Sequence, residues 1–340
     1  MQTITHETGF ALRWAIAGLA AVGLPVSATE RTEHAAQATR AEIHEAATRA
    51  VRLIERTSAE FLGVRNCFTC HTQTLSTIVF NDARKVGIEI DEQNFRRQIE
   101  RVTELDASMN GLRVDTIGHG LWTLDLGQRA ADEMTNRMTA YLLNYQRDLG
   151  HWQVTVNRAP AEASDFTTNY VAIRGLKRYG TADQEKEIEA RKAAVRRWLT
   201  TAKTEDTEDE VFRLRLAREL DLDPKELETL VRALLGKQLD SGGWAQKPGM
   251  NPDAYATGSA LVALHEAGGI PCDDSSWLRG LAYLLDTQAP DGSWHVTTRA
   301  KPIQEYFESG FPYGRDQFIS AFATAWAADA LLISLRPEKD

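Results

Sequence analysis

Arg279-Gly280-Leu281-Ala282-Tyr283-Leu284-Leu285-Asp286-Thr287-Gln288-Ala289-Pro290-Asp291-Gly292-Ser293-Trp294 reads as a helix end, a Pro-Asp-Gly turn and a tryptophan. The same unit occurs twice earlier. Tyr141-Leu142-Leu143-Asn144-Tyr145-Gln146 leads to Gly150-His151-Trp152, and Ala233-Leu234-Leu235-Gly236-Lys237-Gln238 leads to Gly242-Gly243-Trp244. In all three the tryptophan stands six residues after the glutamine, as expected of an internal repeat. Each unit precedes a helix rich in small residues, expected over Phe166 to Tyr179, Ala254 to Ala267 and Phe318 to Leu335. Ala256, Gly258, Ala260 and Ala263 in the second, and Ala321, Ala323, Ala325, Ala327, Ala328 and Ala330 in the third, give narrow faces on which helices pack closely.

Working outward, helical spacing predicts further helices from about Glu30 to Phe61 (ended by Gly63), Asp91 to Leu105, Asp115 to Leu126 and Ala130 to Tyr145. No stretch alternates with period two, so the chain reads as all-α. The three Gln/Trp units resemble the QW motif of the terpenoid cyclase and protein prenyltransferase superfamily, including the C-terminal region of squalene-hopene cyclases. That resemblance covers about Asp115 to Leu335. It implies a single α/α toroid of alternating inner and outer helices, in which each glutamine braces a helix end and each tryptophan stacks over it. The family's chemistry does not carry over with the fold. Its cyclase acid is Asp-x-Asp-Asp, which neither Asp221-Leu222-Asp223 nor Asp273-Asp274-Ser275 matches, and its Asp-x-Cys zinc pair is absent because Ile270 and Pro271 precede Cys272.

A second motif stands upstream. In Cys67-Phe68-Thr69-Cys70-His71 two thiols at a Cys-x-x-Cys spacing are followed at once by an imidazole, the attachment pattern for haem c. Cys67 and Cys70 would form the thioethers and His71 an axial bond to iron. A thioredoxin-like redox pair wants a βαβ neighbourhood and a zinc site a second ligand pair, and neither is visible; a plain Cys67–Cys70 disulfide stays open. With this motif, Gly243-Trp244-Ala245-Gln246, Asp253-Ala254-Tyr255-Ala256-Thr257-Gly258 and Tyr306-Phe307-Glu308-Ser309-Gly310, the whole chain resembles exported bacterial proteins that join a c-type haem motif to such a toroid. Thr72 stands where many of that group carry a second histidine.

The N-terminus agrees with export. After Arg13 an apolar run, Trp14 to Leu24, leads to Pro25 and the small-x-small site Val26-Ser27-Ala28, which reads as a cleavable signal peptide; Glu7 offsets Arg13 in the n-region, so a retained signal anchor is the alternative. The run is too short to span a bilayer comfortably, so no stable membrane insertion is expected after cleavage. Residues 1–28 contain one acid and one base, so their removal preserves the formal net charge of −9. Such an acidic chain repels nucleic acid. The expected compartment is the periplasm. Cys272 has no evident partner and reads as a small buried residue.

The candidates for the sixth iron ligand are His119, between Gly118 and Gly120, then Met109, His151, Met134 and Met138, and the alternative is an open position with no protein ligand. Candidate cavity residues are Asp165, Asp253, Tyr255, Asp291, His295, Arg299, Arg315 and Asp316. Asp165 and Asp253 stand where an aspartate caps a helix, and Asp291 has a local role in its turn. His295 and Arg299 are spaced for a buried hydrogen-bonded pair. Tyr306 to Arg315, aromatic and turn-rich, is expected to close the toroid mouth or to face the haem. The organisation read from the sequence is therefore a signal peptide (1–28), a helical segment carrying the haem motif (29–110) and the toroid (111–340). The expected function is that of a periplasmic monohaem c-type cytochrome-like protein. It would transfer electrons to a redox partner protein or to a quinone-like isoprenoid in the toroid. The alternatives are a haem-dependent oxidoreductase or other enzyme acting on an isoprenoid or lipid, and a binding module without catalysis.

Overall fold

A computed structural model describes residues 38–65, 68, 70–104, 113–302 and 305–337, with Cys70 and His71 described in their backbone only. The signal segment 1–28, Cys67 and Met109 lie outside the described residues. Twelve α-helices occur among the described residues: α1 Arg40–Val64, α2 Leu75–Lys85, α3 Glu92–Thr103, α4 Val114–Leu126, α5 Glu133–Asn144, α6 Asp165–Tyr179, α7 Glu185–Thr201, α8 Thr207–Glu219, α9 Pro224–Leu235, α10 Ala254–Glu266, α11 Ser275–Thr287 and α12 Gln317–Leu335. A π-helical turn, Cys70–Thr74, runs directly into α2. No strand is present among them, only the isolated bridges Arg158 to Glu162 and Ala245 to Pro252.

The even-numbered helices form an inner ring in which each packs on the next and α12 returns to α2, while the odd-numbered helices pack outside. Sequence explains the division. Outer helices such as α3 and α9 bury one stripe, Asn94, Phe95, Gln98 and Val102 or Leu227, Val231 and Leu234. Inner helices α10 and α12 are apolar and buried nearly all round. Gly314–Leu335 is long and apolar enough to cross a membrane, yet 89% of that window is buried within the ring, so it is a core helix. The close approach rests on small residues: a Cβ on Gly258 would lie 2.6 Å from the backbone carbon of Trp326, so α10 and α12 meet backbone to backbone there.

The repeated units are physically equivalent. The indole Nε1–H of Trp152, Trp244 and Trp294 donates to the carbonyls of Leu142, Leu234 and Leu284 at 3.0, 2.9 and 2.9 Å, tying each turn to an outer-helix end. Each tryptophan's own N–H donates to a side chain of the next inner helix, Asn169, Thr257 or Thr324. Gln238 and Gln288 donate both to the glycine carbonyl of their own turn and to a carbonyl of the next outer helix, Ser276 and Ala46. Gln146 departs from this expected bracing, because its amide bonds the backbone of Gln153. Arg191 of the next outer helix takes over, donating to the carbonyls of Tyr145, Gln146 and Arg147 while its guanidinium lies 4.0 Å over the Trp152 ring.

Ring closure follows the same rule. Gln238 is met by Arg279 of α11, and Gln288 by Arg49 of α1, whose Nη2 donates to its Oε1 at 2.6 Å. The last turn therefore docks on the first described helix as if α1 were its next outer helix. The helices of the 29–110 segment pack in the same ring as those that follow them. α1 begins with a Thr39/Glu42 capping box and passes through Gly63 to Val64, so Gly63 does not end it.

Candidate functional site

The first turns of the inner helices gather at one rim. Among the residues lining a cavity of about 430 Å³ there are Phe68, Asp115 and Thr116 at the start of α4, Glu162 just before α6, and Gln317 and Phe318 at the start of α12. Phe68 belongs to the Cys-x-x-Cys-His stretch, so that motif opens inner helix α2 beside this cavity. A smaller pocket beside it shares Phe61, Ser309 and Gln317 and is reached by Thr72.

One wall is aromatic, made by Phe61, Phe68, Phe307 and Phe318. Gln317 pins the overlying loop by donating to the Phe307 carbonyl at 2.6 Å and accepting from the Ser309 N–H at 2.7 Å. The Arg65 guanidinium lies 4.0 Å over the Phe307 ring and that of Arg158 3.3 Å over Phe318. The Tyr306 to Arg315 run thus contributes Tyr306, Phe307, Ser309 and Arg315 to the cavity.

Asp115 is buried, and this desolvation, partly offset by a hydrogen bond from Thr168 at 2.5 Å, pushes its carboxyl up to about 6. His119, one turn deeper, is also buried. Its Nδ1 lies 2.8 Å from the Asp115 carbonyl, which can only accept, so Nδ1 carries the proton and Nε2 keeps its lone pair. Burial holds the imidazole neutral, with its pKa lowered to about 4. A backbone-anchored, neutral histidine of this tautomer is the form in which histidine ligates metals. The Thr74 hydroxyl donates to the His119 carbonyl at 3.2 Å, which places His119 against the turn that carries the backbone of Cys70 and His71. The other described ligand candidates lie elsewhere: Met134 and Met138 on outer helix α5, and His151 stacked on Trp198 at 4.7 Å.

The remaining candidates divide into local groups. Asp253 caps α10, accepting from the Ala256 N–H at 2.9 Å. Ser164, not Asp165, caps α6, while Asp165 accepts from the Val154 N–H at 2.7 Å. Asp291 accepts from the Ser293 N–H within its turn. His295 and Arg299 do not pair. His295 is half exposed, stacks on Tyr313 at 4.5 Å and bonds Asp316 at 2.8 Å. Arg299 reaches Gln246 at 2.7 Å and Asp206 at 2.5 Å, because the segment after Trp294 is extended and throws residues four apart to different neighbours. Of this set Arg315 lines the cavity directly. Tyr255 donates to Glu208 at 2.8 Å, and Thr167 donates to the other carboxyl oxygen at 2.8 Å. Burial drives Glu208 up to about 8 despite both bonds. Arg113, Arg158, Glu162 and Glu208 escape a reading of the sequence, since none belongs to a motif.

Deeper in the ring, Arg215 is buried among Trp122, Tyr170, Phe212 and Trp326, with its guanidinium carbon between 5.1 and 5.8 Å from their centroids. It donates to the Tyr170 hydroxyl at 3.2 Å and lies 3.6 Å from Glu266. These side chains come from inner helices α4, α6, α8 and α12. Asp82 and Asp329 share a hydrogen bond; burial raises both carboxyls, but at Asp82 that bond together with Arg336 and Lys85 outweighs it and holds the group low, while Asp329, wholly buried, is pushed well up. The Cys272 thiol, raised by burial to about 11, is unsuited to act as a nucleophile.

No family model and no curated protein matches the sequence. Solved structures do match the fold. The chain is similar to the type II terpene cyclase MstE from Scytonema in complex with geranylgeranyl dihydroxybenzoate, with 13% identity over 86% of this chain and 98% of that one and a TM-score of 0.56. The apo form of MstE gives 14% identity over 84% and 98%, with a TM-score of 0.55. A possible GH105-family member from Klebsiella pneumoniae subsp. pneumoniae MGH 78578 gives 11% identity over 96% and 99%, with a TM-score of 0.53. At these identities the likeness establishes the α/α toroid fold and nothing about chemistry.

Proposed function

We propose that the chain is a periplasmic, monohaem c-type cytochrome-like protein, exported by a cleavable signal peptide, whose haem occupies the mouth of the toroid. The observation that carries this reading is the position of Phe68: a side chain between the two motif cysteines forms part of the cavity wall. The residues present fit the group. Cys67 and Cys70 would supply thioether sulfurs and His71 an iron ligand, Phe61, Phe307 and Phe318 offer an apolar surface, and the cavity volume is that of a cofactor-sized site. His119, one turn below Asp115 of the cavity lining and held by its Nδ1, would be the sixth ligand. When bound, haem supplies a one-electron Fe(III)/Fe(II) couple. Electron transfer to a redox partner protein, or to a quinone-like isoprenoid reaching the mouth, is the resulting function.

The test is a pyridine haemochrome spectrum of the mature chain produced with the haem-attachment machinery. A spectrum without covalent haem sinks the proposal. With haem present, a low-spin spectrum that His119→Ala converts to a high-spin, carbon monoxide-binding form supports the axial assignment.

A second reading, a haem-dependent oxidoreductase or other enzyme acting on an isoprenoid or lipid, draws support from MstE, a toroid solved with geranylgeranyl dihydroxybenzoate. The buried cation Arg215 among the inner-helix aromatics weighs against it, because an isoprenoid placed there would displace a hydrogen-bonded charge, so the mouth cavity is the site left for such a guest. A wild-type spectrum that is already high-spin and binds carbon monoxide would favour this enzyme reading.

A further inference from the structure

The backbone that carries the motif's histidine is unusual. His71 is the second residue of the π-helical turn Cys70–Thr74, in which backbone bonds span five residues where α2, continuing from it, spans four. Such turns are rare and occur mostly at functional sites. Here two successive buried side chains tie the turn to two different helices. Gln73 begins a chain of amides: its Nε2 donates to Gln98 Oε1 on α3 at 3.1 Å, Gln98 Nε2 donates to Asn94 Oδ1 at 2.8 Å, and Asn94 Nδ2 donates to the Glu55 carbonyl of α1 at 2.9 Å. Gln98 donates also to the Ser58 carbonyl and Asn94 to the Ser58 hydroxyl, both at 3.1 Å, so both hydrogens of each amide are used. Backbone carbonyls only accept, which fixes the orientation of Gln98 and Asn94. Thr74 makes the second tie. Its hydroxyl, the Thr123 hydroxyl of α4 and the His119 carbonyl lie 2.9 to 3.2 Å apart, and all three residues are buried. Whichever hydroxyl donates to the carbonyl, the other donates to that hydroxyl, so the turn is joined to the backbone of His119 by a closed group of hydrogen bonds.

We propose that Gln98 and Thr123 are positioning residues that hold the π-helical turn against α3 and α4 and so set the spacing between His71 and His119. This deepens the haem reading and rests on it. If the turn relaxed to α-helical winding, the residues before it would move by one residue step, roughly 100° around the axis and about 1.5 Å along it. That is far outside the ~0.2 Å tolerance of a metal–ligand bond. Neither Gln98 nor Thr123 is assigned to the iron; both act through the turn.

The experiment uses the mature holo-protein with Thr123→Val, Thr123→Ser and Gln98→Met, read by the ferric spin state and by carbon monoxide binding to the reduced form. Thr139→Val is the control for losing a buried hydroxyl elsewhere, since Thr139 on α5 donates to the Gln184 side chain at 3.0 Å. Thr123→Val and Gln98→Met are each expected to keep covalent haem and to raise the high-spin, carbon monoxide-binding fraction about tenfold, the effect of one ordinary hydrogen bond on an equilibrium. Thr123→Ser, which keeps the hydroxyl, and Thr139→Val are expected to match the wild type. If Gln98→Met does not fold, Thr123→Val, which preserves the shape of the side chain, decides the outcome. A wild-type spectrum in Thr123→Val, an equal rise in Thr139→Val, or no rescue by Thr123→Ser would each overturn the positioning role and leave the haem reading standing. A wild type that is itself high-spin overturns the pairing of His71 with His119. A wild type without covalent haem is a different failure, that of the haem reading, and shows in the haemochrome spectrum before any variant is compared.

Discussion

Whether α1 is a true member of the ring can be decided by a single methyl group. Gly292 has φ +92°, and a Cβ there would sit 2.5 Å from the backbone carbon and 2.6 Å from the carbonyl oxygen of Arg49, on α1. Gly242 occupies the matching place one unit earlier, with φ +87° and a Cβ 2.4 Å from the Arg279 carbonyl oxygen on α11. Gly249 supplies the control, having φ +83° and open space around it. An alanine at Gly249 meets only the left-handed backbone penalty, roughly 1–2 kcal/mol. At Gly292 the same penalty is joined by a backbone clash that no rotamer change relieves, adding about 1–3 kcal/mol as in other overpacked sites. Gly242→Ala and Gly292→Ala should therefore each lose roughly 2–5 kcal/mol and Gly249→Ala clearly less, measured from guanidinium denaturation midpoints at constant m. The decisive outcome is the comparison between the first two. If Gly242→Ala is severe and Gly292→Ala costs no more than Gly249→Ala, then α1 does not close the ring and the equivalence of Arg49 with Arg279 is wrong.

Trp294→Ala and Trp244→Ala each remove a side chain that is at most 1% exposed, and each should cost about 3–5 kcal/mol in the same denaturation series. Trp294→Phe keeps most of the volume but leaves the Leu284 carbonyl without its indole donor, so a loss of about 1–3 kcal/mol is expected. Glu208 gives a pH signature. Its folded pKa of about 8 lies above the ordinary 4.5, so the folded state binds more protons between those values and stability falls as pH rises from about 4.5 through 8. Thermal unfolding across that window should show a decline that Glu208→Gln flattens; an equal slope in the variant would mean that another group carries it. His119→Ala, followed by spin state, tests the axial assignment.

The repeats were legible because their chemistry is local. A glutamine, a glycine turn and a tryptophan within a few residues specify an indole bond to a carbonyl ten residues back, and all three tryptophans make it. Gln146 shows the limit of that reading: the motif is intact, yet Arg191, 45 residues away, braces the turn in its place. Ring closure was out of reach for the same reason, since Arg49 and Gln288 are 239 positions apart and neither is marked by a pattern. The stretch 29–110 read as a helical segment preceding the toroid, and α1 and α2 within it pack against inner helix α12. His295 and Arg299 were misjudged because helical spacing was assumed in an extended stretch. Arg113, Arg158 and Glu162 converge from two loops, and such convergence has no sequence signature.

The interior of the ring narrows what a protein of this shape can do. Among the six inner helices, the Arg215 guanidinium is buried between aromatic side chains of α4, α6, α8 and α12. Burying Arg215 would cost several kcal/mol if left alone, but the Tyr170 hydroxyl, the Glu266 carboxylate and four aromatic faces compensate it. Replacing Arg215 by methionine would leave those partners without their cation, so the buried cation is a built feature of this chain and not slack in the packing. The volume left for a guest is that of the rim cavity, where the inner helices begin. The Cys-x-x-Cys-His stretch occupies one of those beginnings, and Arg113 and Arg158 line the same cavity. A motif at the start of an outer helix would open onto the outside of the toroid. On an inner helix, Phe68 of the motif faces the rim where four helix starts and an aromatic wall meet.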